Sequence, residues 1–134
     1  MGSDVDDRLA IRNVVAKVAH ATDVGSVDEY VALLTDDVVW ELPGAPAIVG
    51  VAAMTAGIEA RRAAGATGPG SHTRHVVSTV EVSVDGDRAT SLAFFEFLTD
   101  CAGTPTVAGV GNYEDTLRRT DSGWKIARRR VSQG

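Results

Sequence analysis

From His72 onward the chain offers only strand-like sequence, in four long runs divided by tight turns, and this restricts its fold most. The runs are His72 to Val84, Ala89 to Thr99, Thr106 to Arg119 and Trp124 to Val131, rich in β-branched and aromatic residues. Asp85-Gly86, Gly103-Thr104-Pro105 and Thr120 to Gly123 supply the turns. A meander of this length needs apolar cover on at least one face.

The cover lies upstream. Asp4 to about Asp23 predicts a helix, with Ile11, Val14, Val15, Val18 and Thr22 at steps of three and four. Gly25 suits its end. Ser26-Val27-Asp28-Glu29 is a capping-box pattern for a short second helix to about Leu34, carrying Tyr30, Leu33 and Leu34 inward. Thr35-Asp36-Asp37 predicts a turn, Val38 to Leu42 a strand, and Val51 to Ala64 a third helix. Gly65 to Gly70 predicts a mobile loop. Helices first and hairpins afterwards make an α+β fold, a strongly curved antiparallel sheet with the helices on its concave face. Helices cannot fill such a sheet completely, so an apolar pocket remains.

A length of 134 residues suits one domain, 1–134, with one core. The net charge of −5 argues against a nucleic-acid partner. Arg128, Arg129 and Arg130 are expected at a solvated strand end. Cys101 is the sole cysteine, which excludes an internal disulfide and a cysteine zinc site. The start, Met1-Gly2-Ser3, resembles an acylation site but has Asp6 where serine or threonine is wanted. Without a leader pattern or a long apolar run, the expectation is a cytoplasmic protein with no membrane partner. No metal is expected, because His72 and His75 fall on opposite strand faces, and no other cofactor, because no phosphate-loop motif exists.

Strand parity sorts the candidate site residues. His75 shares a face with Val77, while Val80, Val82 and Val84 imply a bulge between Val77 and Val80. Trp40 shares parity with Val38 and Leu42. Glu96 falls either in the pocket, at a subunit contact or at a wet sheet margin. His20 is expected at the surface, and His72, beside the Gly-rich loop, either at the pocket mouth or facing solvent. Phe94, Phe95 and Phe97 are candidates for a two-fold contact, and a homodimer is expected because the convex face needs cover.

The set Asp23 before a Gly turn, Asp36-Asp37-Val38-Val39-Trp40, Thr73-Arg74-His75-Val76-Val77-Ser78 and Tyr113-Glu114-Asp115 through Gly123-Trp124-Lys125-Ile126 resembles the SnoaL-like branch of the nuclear transport factor 2-like superfamily. The resemblance implies a cone-shaped α+β barrel around a pocket. In scytalone dehydratase and hexachlorocyclohexane dehydrochlorinase of that superfamily, an Asp at the end of the first helix orients a His on the long strand, and that His removes a proton. Asp23 and His75 match those two positions. The chain departs from them at Val18, where the dehydrochlorinase has lysine, and at Thr22, where scytalone dehydratase has tyrosine.

The matched pair implies a cofactor-independent lyase, isomerase or cyclase acting on a small hydrophobic molecule, polycyclic ones included. A carboxylate on one ring nitrogen fixes the histidine tautomer and stabilises the imidazolium. Tyr113 is the candidate donor to a developing oxyanion, or an anchor of strand packing. The expected pocket wall is Trp40, Val18, Leu42, Val77 and Phe94. The departures at Val18 and Thr22 keep open a non-catalytic binding or dimerisation module.

Overall fold

The computed structural model describes residues 3–134; Met1 and Gly2, and the acylation reading with them, lie outside the described residues. Helix α1 (Asp4–Val24) starts from a capping box in which the Ser3 hydroxyl accepts from the Asp6 N–H and the Asp6 carboxylate accepts from the Ser3 N–H. It ends at Gly25, where a Cβ would come within 2.8 Å of the Ala21 Cα. Helix α2 (Val27–Val31) is capped by Ser26 and Glu29 as the sequence predicts, but is shorter than expected.

The reason is that Leu34 already pairs with a strand. Strand β1 (Leu34–Glu41) absorbs Thr35-Asp36-Asp37, expected to be a turn. The Leu33 carbonyl accepts from the Ile126 N–H, and pairing with the last strand shifts register between Leu34 and Val39. The two aspartates bulge outward to solvent, where Asp37 meets Arg118. Strand pairing has overridden local turn propensity. A two-residue strand β2 (Ile48–Val49), which the sequence does not signal, and helix α3 (Val51–Ala63) follow.

Strands β3 (Arg74–Asp85), β4 (Arg88–Thr99), β5 (Thr106–Thr120) and β6 (Gly123–Gln133) form the meander. The sheet order is β2-β1-β6-β5-β4-β3, with only β1 and β6 parallel. The sheet curves but stays unclosed. Its β3 edge lies under α1, whose Arg8 and Arg12 donate to the Val82 and Val80 carbonyls. Those carbonyls would otherwise face outward and invite another strand. β3 bulges between Ser78 and Glu81, with Thr79 at φ 56°, where the valine parity requires it.

The core cluster joins Ile11, Val14, Val18 and Ala21 of α1 to Val38, Met54, Ile58, Leu117 and Ile126. Each such side chain contributes about 1.5–3 kcal/mol on burial. Asp7 anchors the start of α1, accepting two hydrogen bonds from Arg119 and one from the Trp124 indole. The last turns of α1 lie farther along the sheet and also wall a cavity. On the outer face, Val76, Leu92, Phe94 and Val110 are exposed. Of the three phenylalanines expected at a contact, only Phe94 points that way; Phe95 and Phe97 turn inward toward His75.

Candidate active site

Asp23 is the second-last residue of α1, and His75 is the second residue of β3. The carboxylate of Asp23, only 3% exposed, grips His75 twice. Its Oδ2 accepts from the His75 backbone N–H at 2.7 Å, and its Oδ1 lies 2.8 Å from the ring Nδ1. An ionised carboxylate only accepts, so the Nδ1 carries the hydrogen and Nε2 holds the lone pair. The backbone bond fixes the carboxylate, and the carboxylate fixes the ring. His75 stacks near Phe97, with centroids 4.7 Å apart, which limits its rotation from the other side.

His75 lines a cavity of about 170 Å³ that is partly open to solvent. Its wall is a run of flat groups. Phe95 stacks on Tyr113 at 4.3 Å, the Arg129 guanidinium lies 3.8 Å over the Tyr113 ring and 5.0 Å over Trp40, and Tyr30 packs against Trp40 at 6.1 Å. Burial pushes the Tyr113 phenol up to about 12, with Arg129 holding it back in part. Burial likewise raises Tyr30. Both are therefore neutral hydrogen-bond donors at any ordinary pH.

Arg129 is 2% exposed, which corrects the expectation of a solvated strand end for this residue; Arg128 and Arg130 do face water. Burial alone would lower its pKa, but the Asp115 charge and two hydrogen bonds, at 2.7 and 2.8 Å, outweigh that and keep it protonated. The fork uses Nε and Nη2, which leaves Nη1 outside the pair. The parity of β6 explains the miss. Trp124 and Ile126 point inward, and the same alternation would bring Arg128 in. A register irregularity opposite Thr116 and Leu117 moves the inward set to Arg129 and Val131. One signal was present in β5. Asp115 shares a face with Tyr113 and Leu117, and a carboxylate on a buried face demands a cation.

The other expected residues divide. Val18, Trp40, Leu42 and Tyr113 line the cavity with His75. Phe94 does not: it is 54% exposed on the outer face, and Phe95 takes the inward place because the β4 parity runs Ala93, Phe95, Phe97. Val77 shares a side with His75 but lines a groove between α1 and β3, with Ala16 and His20, rather than the cavity. Glu96 and His72 are exposed, and the His72 carbonyl accepts from the Cys101 N–H. Ala19, Thr22, Tyr30, Arg61, Thr67, Phe95 and Val131 complete the wall.

The end of α1 has no basic residue of its own. Arg62 of α3 supplies one, donating through Nη1 to the Gly25 carbonyl at 2.9 Å and through Nη2 to the Ala21 carbonyl at 2.8 Å. The Ala21 carbonyl also accepts from the Gly25 N–H, and the Gly25 carbonyl lies just past the helix end. Gly68, at φ +97°, lies flat on Arg62; a Cβ there would come within 2.8 Å of the Arg62 Cγ. The glycine loop thus holds the arginine that holds the helix turn bearing Asp23. Among the described residues, no three His, Cys, Asp or Glu side chains gather as a metal-binding group, and no helix is long and apolar enough to cross a membrane.

Comparison with known proteins agrees with this architecture. A structure from Novosphingobium aromaticivorans, provisionally described as an aromatic ring hydroxylase, superposes with a TM-score of 0.83 at 28% identity, covering 98% of this chain and 92% of that one. A nuclear transport factor 2-like protein with a cystatin-like fold from the same organism gives 0.80 at 26% identity, over 96% and 82%. A provisional scytalone dehydratase, again from that organism, gives 0.78 at 18% identity over 98% and 86%, which shows a shared fold alone. Among curated proteins nothing matches the chain. The SnoaL-like domain profile matches residues 3–130. The chain belongs to the SnoaL-like domain family.

Proposed function

We propose that this protein is a cofactor-independent lyase or isomerase, dehydratase- or cyclase-like, acting on a small hydrophobic ring-containing molecule with His75 as general base. The observation that carries the reading is the double grip of Asp23 on His75 at the wall of a mostly apolar, partly open cavity. The free Nε2 takes a proton from a carbon next to a carbonyl or a leaving group. Asp23 stabilises the imidazolium that forms, and a positioned base of this kind contributes ~10²–10⁴-fold. Tyr113 and the spare Nη1 of Arg129 serve the oxygen on which negative charge develops. The aromatic wall selects flat molecules.

Incubating the protein in D2O with a panel of β-hydroxyketones and polyketide-type polycyclic ketones tests this by NMR. Exchange of the acidic C–H, or elimination, is expected with wild-type protein and not with a folded His75→Ala variant. Equal rates in the two proteins would remove the proposal.

One observation favours a binding module without chemistry. The α1 side of the cavity is Val18, Ala19 and Thr22, and the Thr22 hydroxyl is already donated to the Val18 carbonyl at 2.7 Å. That wall adds no acid or base. Tight binding of panel members with neither exchange nor product is the outcome that supports this second reading.

A further inference from the structure

The charges around the cavity do not cancel at one place. No Asp or Glu lines it among the described residues, although the chain as a whole carries −5. Of its three basic groups, Arg129 is paired with Asp115 and His75 with Asp23. Arg61, on the last turn of α3, is the third. Its neighbour Arg62 is occupied by backbone carbonyls, whereas the Arg61 guanidinium makes no hydrogen bond or ion pair among the described residues.

The backbone makes room for it. Gly57 sits in the interior of α3, where glycine weakens a helix. A Cβ at Gly57 would lie 3.4 Å from the Arg61 Nη1, tighter than side chains normally pack. The guanidinium is therefore laid back along the helix, over the glycine. Arg61 is among the partly exposed residues of the lining, with Leu42, Thr67 and Val131 and also Thr22, His75 and Phe95.

From this we infer that the substrate carries a carboxylate, which Arg61 receives while the ring enters between Trp40 and His75. A planar fork with free donors matches a carboxylate in bidentate fashion. The arrangement also suits the chemistry. With Arg61 neutralised by the ligand and Arg129 by Asp115, the Asp23 charge is the one left uncompensated. A proton arriving on His75 restores the balance. The inference rests on the reading of the cavity as a substrate site, but not on His75 being a base.

Equilibrium binding separates the two. The probes are 2-naphthoate and its neutral amide, 2-naphthamide, followed by quenching of tryptophan fluorescence and by calorimetry. Wild-type protein is expected to bind the acid about tenfold or more tightly than the amide, the worth of one charge-assisted pair. Arg61→Met should abolish that preference, with circular dichroism and thermal melting showing that the variant is folded. Arg61→Lys should keep part of it. His75→Ala should keep all of it, so a failure of catalysis does not touch this result. A preference that survives in Arg61→Met overturns the inference. So does a wild-type protein that shows no preference, or that binds neither probe at millimolar concentration.

Discussion

Asp23 and His75 are tied by two hydrogen bonds from one carboxylate, one to the main chain and one to the ring. The arrangement predicts an asymmetry between two substitutions. Asp23→Asn keeps size and one acceptor, but its amide N–H cannot face both His75 donors without opposing one. The Nδ1 hydrogen then loses its partner and the wrong tautomer competes. Activity should fall ~10²–10⁴-fold with a stability loss of only about 1–3 kcal/mol. Asp23→Ala should cost similar activity and more stability. Turnover and thermal melts of the two variants check this; an Asn variant of full activity would show that Asp23 is only structural.

A second relationship fixes where Asp23 stands. Arg62 crosses from α3 to the carbonyl end of α1, and Gly68 covers it. Arg62→Met should cost about 1–3 kcal/mol, because charged donors to buried carbonyls are lost. A mere stabiliser would stop there. As a positioning residue it should also shift the ring ¹H and ¹⁵N resonances of His75, and Arg62→Lys should restore part of that shift. Gly68→Ala, which touches neither Asp23 nor His75, should move the same resonances in the same sense. Unchanged His75 resonances in both variants would count against positioning.

These elements differ in how far they could be read from sequence. Helix α1 and its stop at Gly25, the cap of α2, the hairpins and the β3 bulge follow from local signals: periodicity, turn residues and valine parity. The Asp23–His75 pair came from the family pattern, since nothing local joins residues so distant in the chain. Arg129 and Phe94 were placed on the wrong faces for different reasons. The irregularity in β6 opposite Leu117 has no glycine or proline to announce it, and the run Phe94-Phe95-Glu96-Phe97 offers an aromatic to either face of a regularly alternating strand. Arg62 was illegible because capping across elements leaves no trace in spacing. Asp36-Asp37 shows the reverse case, in which strong turn chemistry was present and strand pairing overrode it.

The buried pair Asp115–Arg129 allows a test of that correction. Asp115→Asn strands a guanidinium that is 2% exposed, and should cost about 3–5 kcal/mol. The double variant Asp115→Leu with Arg129→Met removes both charges and should be clearly less destabilised than the single one. Chemical denaturation of the three proteins decides it. If Arg129 lay in solvent, as its sequence neighbours do, the single change would be nearly silent.

The outer face bears on the expected homodimer. Phe94, Leu92, Val76 and Val110 are exposed there on three adjacent strands. Light scattering after size exclusion should give twice the monomer mass, and Phe94→Glu should return a monomer that still binds naphthamide. A wild-type monomer at high concentration would overturn this.

Acid behaviour follows from the opposite end of α1. Hydrogen bonding from Arg119 holds the Asp7 carboxyl below its ordinary 3.8, against an opposing push from burial and with help from the Trp124 indole. A folded pKa below the unfolded one means that the native state favours the charged form. Its contribution is fully present above pH 3.8, and it is lost as the pH falls from there through the lower folded value. Asp7→Asn keeps an oxygen for the indole N–H but gives up the ion pair. It should therefore melt at a lower temperature than wild type at pH 7, and the gap should close on acidification below pH 3.8. Melting curves of both proteins from neutral pH downward measure that gap. A gap that stays constant to the lowest pH would mean that Asp7 acts through packing, and that its charge contributes nothing to holding Arg119 and Trp124 at the base of the sheet.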